Sequence, residues 1–166
     1  LVAWIARGEE SAVGAALAVA GLLNLARLAR WRGWKTTGEG LVIILHVGYL
    51  WLSVGLTLLG VSMVHDAMTT AAALHMMTLG GMGTMTLAVM TRAILGHTGR
   101  GLHAGPATMA IYIFVTVAMI LRVAFGFAPD IRLIWASAGF WTAAFALFVW
   151  VYAPMTWRRT PATQPE

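Results

Sequence analysis

HMMTLGGMGTMTLAVMTRAILGHTGR, residues 75–100, is the stretch whose reading decides the fold. Joined to the apolar residues just before it, this run reaches the length of about 20 mostly apolar residues that crosses a lipid hydrocarbon core as a helix. It also carries two histidines, two arginines and five methionines. Polar side chains at membrane depth are costly and call for a partner or a task. The stretch therefore reads as a membrane span with functional side chains towards both ends.

The rest of the chain agrees with that environment. Hydrophobic residues make up 60% and charged residues 10%, with a mean hydropathy of +0.79, whereas a soluble domain carries about a quarter charged residues. This is the composition of an integral membrane protein. Cysteine is absent, which removes disulfides, thiolate metal sites and thiol nucleophiles. A metal would have to be held by His, Met, Tyr or carboxylate. Nothing resembles a hydrolase triad, a phosphate loop or paired catalytic carboxylates, so the residues alone assign no enzymatic step. The opening LVAWIA reads as the tail of an apolar helix begun earlier, and no signal peptide is expected from it. The chain is expected to be part of a longer protein, with the missing N-terminal spans as its neighbours in the bilayer.

Spacing of the apolar runs predicts an all-α fold, a single polytopic bundle of about five spanning helices, at 11–30, 40–63, 69–95, 105–126 and 131–153, with a polar tail at 160–166. Helices are required because a spanning backbone must satisfy its own hydrogen bonds, and strands of about ten alternating residues are not found. The breaks are punctuated by a polar, basic stretch from Trp31 to Gly40, a Gly/Pro-rich one from Gly101 to Pro106, and Pro129-Asp130.

Lysine and arginine set the orientation, since they accumulate in cytoplasmic loops. Arg27, Arg30, Arg32 and Lys35 follow the first span, Arg92 and Arg100 close the third, and Arg158 and Arg159 follow the fifth; none lies between the second and third. The expected topology is multi-pass with the C-terminus cytoplasmic. The net charge of +5 is then a topology signal and an attraction to anionic lipid heads, not a sign of a nucleic-acid partner.

With topology set, each histidine acquires a depth. His46 lies about six residues, or ~9 Å, into its span from the cytoplasmic side, and His75 a similar distance into its span from the other side. They are expected to serve separate sites. The outer group is His65 and His75, near Met63, Met68, Met76 and Met77, a thioether and imidazole set that suits copper. The inner group is His46, His97 and His103. In the second span His46, Tyr49, Ser53, Thr57 and Gly60 share one helix face, read either as a cofactor-lining wall or as a helix-packing seam. In the third, Gly80, Thr84 and Ala88 form a row open to close helix packing or to a flat porphyrin. Arg122, near the outer end of the fourth span, would pair with Asp130 or with an anionic group such as a haem propionate.

Gly83 to Arg100, GTMTLAVMTRAILGHTGR, resembles the signature of the NnrS family of bacterial inner-membrane proteins, associated with denitrification and nitric-oxide stress. The resemblance extends through His46 and the remaining spans. It implies a haem protein that also holds copper, with nitric oxide as a ligand, of which this chain is the C-terminal portion. In the family pattern Pro follows the signature arginine, whereas Gly101 follows Arg100 here. Resemblance and residue chemistry together make His46, His75, His97, Arg92 and Arg122 the cofactor-binding candidates, with His75, His46 and His65 as metal ligands. The alternatives are a cofactor-free transporter or permease with a path lined by His46, Tyr49 and Arg122, its third span broken at Gly80, Gly81 and Gly83, or a scaffold whose polar residues only fasten helices.

Overall fold

The computed structural model describes residues 11–36, 38–65 and 70–157. Asp66, Met68, the opening LVAWIA and the tail 160–166 lie outside the described residues. Among the described residues five helices are long and apolar enough to cross a membrane: α1 (Ser11–Arg30), α2 (Gly40–Ser62), α3 (Thr70–His97), α4 (Pro106–Phe127) and α5 (Ile131–Trp157). The expected all-helical bundle is what forms. One face of it, where α1, α3 and α5 end, is called here the basic face.

Local chemistry fixes the helix ends. Pro106 opens α4 at its first turn, where its missing N–H costs nothing. Asp130 turns its carboxylate onto the N–H of Arg132 at 2.9 Å, holding the start of α5. At the end of α3, Gly99 takes φ +69°. The N–H of Gly99 donates to Gly96 O at 3.2 Å and that of Arg100 to Leu95 O at 2.9 Å. This paired closure needs a left-handed residue, which glycine adopts without strain.

α1 packs along α2 and α4 along α5, while α3 lies between the pairs and touches α2, α4 and α5. The main core joins Leu41 and Ile44 of α2, Leu87 and Leu95 of α3, Ile111 and Val115 of α4, and Phe148 and Tyr152 of α5. A smaller core, Leu17, Leu59, Ala73 and Met77, lies between α1, α2 and the start of α3. Ser137 of α5 donates to Ala118 O of α4 at 2.7 Å, with Ser137 4% exposed. Ser137→Ala is expected to cost only about 0.6 kcal/mol, measurable in a reversible detergent-unfolding titration.

α3 is unbroken but not uniformly α-helical. It is α-helical over Thr70–His75, π-helical over Met76–Gly83, and α-helical again over Thr84–His97. Gly80, Gly81 and Gly83, which the transporter alternative reads as a break, instead let neighbours press on the backbone. A Cβ on Gly80 would lie 2.7 Å from Trp51 Cγ, one on Gly81 3.1 Å from Leu52 Cβ, and one on Gly83 2.2 Å from Trp141 Cη2. The small-residue row is therefore filled by side chains, leaving no place for a porphyrin against it.

Candidate functional site

Contacts across α2 and α3 set the levels of the two buried-span histidines. Gly48 faces Met85, Trp51 faces Gly80, and Gly55 faces Met77, an antiparallel register. Carried along it, His75 is level with the stretch near residue 57, about eleven residues and ~17 Å from His46. They occupy separate sites.

His46 is held in a defined state. Its Nδ1 lies 2.9 Å from Val42 O. A carbonyl only accepts, so Nδ1 carries a proton, and in the neutral ring Nε2 keeps the lone pair. That Nε2 is buried and has no partner. The ring borders a cavity of about 420 Å³ between α1 and α2, walled by Leu25, Leu28, Ala29, Ile43, Val47 and Leu50. Gly33 closes over it: a Cβ there would stand 2.6 Å from His46 Cδ2 and 2.9 Å from Nε2. Only glycine fits this close against the ring. Trp31 meets the imidazole edge-on at 5.9 Å and leans on Tyr49 at 4.8 Å, with the Arg27 guanidinium over its ring at 5.4 Å. Tyr49 in turn donates to Asn24 Oδ1, and Asn24 Nδ2 donates to Ala20 O at 2.8 Å, tying α1 to α2.

The remaining polar stripe of α2 is a packing seam. Ser53 and Thr57 donate to carbonyls one turn back, Tyr49 O at 2.7 Å and Ser53 O at 2.9 Å. Thr57 packs on Gly21, and Gly60 on Gly14 and Ala18. Along this face His46 alone keeps an unpartnered polar atom.

At the opposite face His75 and Arg122 meet. Arg122 Nη2 is 3.1 Å from His75 Nε2, and His75 Nδ1 is 2.5 Å from Ala71 O. Nδ1 therefore holds the proton and Nε2 accepts from the guanidinium, which also lies over Phe125 at 5.5 Å. Of the two partners read for Arg122, Asp130 is not the one it meets: Arg122 bonds His75, and Asp130 Oδ1 accepts from Arg132 N. A double-mutant cycle over His75→Ala and Arg122→Ala should return about 0.5–3 kcal/mol of coupling in reversible unfolding; independent effects would mean that the contact is not made.

The outer group is a poor copper site as arranged. A fixed cation occupies the free nitrogen of His75, Met77 packs against Gly55, and His65 is exposed in the bend after α2. Among the described residues no three His, Asp or Glu side chains gather to hold a metal ion. His97 is the last residue of α3, exposed rather than turned into the bundle. It shares an open groove of about 540 Å³ with Arg92, Leu45 and Leu102. Trp31, Gly33 and Asn24 were not anticipated as site residues; the one signal was a glycine between Trp31 and Trp34 in a loop read only as punctuation.

No match was found among curated proteins or among solved structures. The family model described as NnrS protein matches residues 1–159, nearly all of the chain, including the His46 groove and the His75–Arg122 pair. The chain thus belongs to the NnrS family.

Proposed function

We propose that this chain forms the haem-binding part of a multi-pass protein of the bacterial inner membrane, with its basic face cytoplasmic, and that it helps cells withstand nitric oxide. The single observation that carries the reading is the buried Nε2 of His46, which has no partner among the described residues, in a ring that borders an apolar cavity. Cofactor sites are concave and mostly apolar, with a few placed polar groups, and a neutral imidazole with its other nitrogen hydrogen-bonded is oriented as axial ligands are. The donor set fits one haem through one histidine. Bound there, haem would supply an iron with a displaceable position for nitric oxide.

The protein's own groups have separable roles. Val42 O fixes the His46 tautomer, Trp31, itself backed by Tyr49, meets the ring edge, and Gly33 lets the loop lie against Nε2 without a side chain between. Leu25, Leu28 and Leu50 exclude water and so raise the potential of any iron they surround. Arg92 and His97 lie at the same face and are available to an anionic edge of the cofactor. Purified full-length protein from haem-replete cells should show a Soret band and bound iron. Their absence would overturn the reading.

A further inference from the structure

A different cavity, of about 300 Å³, opens at the basic face where the α3–α4 turn meets the end of α5. Arg100, His103, Thr108 and Tyr152 line it, with Gly105 to Ala107 leading into α4. Its polar groups are an excess of donors. Arg100 Nε is buried without a partner, and a guanidinium can only donate. Thr108 Oγ1 and Tyr152 OH share one hydrogen bond of 2.5 Å, the two residues being 4% and 1% exposed. Two hydroxyls joined by one bond leave one O–H hydrogen with no acceptor in the protein.

Helix α4 adds more donors. Its first intrahelical bond runs from Met109 N to Gly105 O at 3.0 Å, so the N–H groups of Ala107 and Thr108 precede it, at the positive end of the helix dipole. Among the described residues no Asp or Glu lines the cavity. Arg100 Nε, buried without a partner, calls for an occupant, and a lining rich in donors and free of carboxylates suits an anion with several acceptor oxygens.

We propose that this cavity is an oxyanion site, taking a phosphate group carried either as the free anion or on a lipid headgroup at the basic face. Arg100 supplies the fork, and the α4 start and the Thr108–Tyr152 pair supply the fixed donors. The site is distinct from the His46 groove, so its test does not require haem.

Inorganic phosphate, titrated at constant ionic strength into purified full-length protein in uncharged detergent, should raise the melting temperature. Arg100→Gln should weaken the apparent affinity by about tenfold or more, the loss of one charge-assisted contact. Ala107→Leu, which narrows the cavity from its exposed rim and leaves Arg100 in place, should weaken it as well. Arg132→Gln, at the other end of the bundle, should not. In nanodiscs mixing phosphatidylcholine with phosphatidylglycerol, preferential retention of phosphatidylglycerol by wild type but not by Ala107→Leu assigns the headgroup. A response to phosphate alone assigns the free anion. No response to either probe, or equal responses in wild type, Arg100→Gln and Ala107→Leu, overturns the proposal.

Discussion

Purified His46→Ala protein should lose its haem, with Soret absorbance falling to background, while His75→Ala should retain it. The difference follows from what each Nε2 faces. In His46 the nitrogen is buried with no partner. In His75 it already accepts from Arg122, and binding iron would require breaking that contact beside a fixed positive charge. Removing groups that only support a ligand lowers metal affinity by about 10–100-fold, and removing the sole nitrogen ligand should exceed that. Gly33→Val is the more demanding test, because it leaves the imidazole intact. Its side chain would enter the space 2.9 Å from Nε2, and haem should be lost although every polar group remains. Full haem in both His46→Ala and Gly33→Val would place the cofactor elsewhere.

The second large effect is expected from Gly60→Val, which should separate α1 from α2. A Cβ on Gly60 would stand 2.3 Å from Ala18 N and 2.4 Å from Gly14 O. Both obstacles are backbone, so no rotamer change relieves them and the helices must move apart. Overpacking of this kind costs about 1–3 kcal/mol or more. The damage should travel, because α1 supplies Asn24 to Tyr49 and the Leu25, Leu28 and Ala29 wall to the His46 groove. Detergent unfolding and haem content should fall together. Gly96→Ala is the control, since a Cβ there meets nothing within 4 Å; within a helix it should be neutral or slightly stabilising.

These outcomes bear on how much the bare sequence could disclose. The apolar runs and their Pro, Gly and Asp punctuation were enough for five helices, since lipid allows a backbone few alternatives. The register across α2 and α3 also agrees with the inference that His46 and His75 sit at different levels. What could not be read was which neighbours meet. Arg122 and His75 are 47 residues apart, and no local pattern encodes that pairing. Asp130, the nearer candidate, was already committed to a helix start. The small-residue row of α3 was compatible with a porphyrin or with side chains, and only packing shows that Trp51, Leu52 and Trp141 fill it. Gly33 carried its meaning in three dimensions alone, as the absence of a Cβ beside an imidazole.

The π-wound segment Met76–Gly83 also bears on how this span can change over evolutionary time. A π-turn closes its ring one residue later than an α-turn, so the segment holds slack that an ordinary helix lacks. Losing one residue elsewhere in α3 would rotate every following side chain away from its partner. Losing one inside Met76–Gly83 could be absorbed by tightening to α winding, with His75 still aimed at Arg122 and Leu87 still in the core. The span thus contains its own tolerated site of deletion, in the half of the helix where length would otherwise be least negotiable.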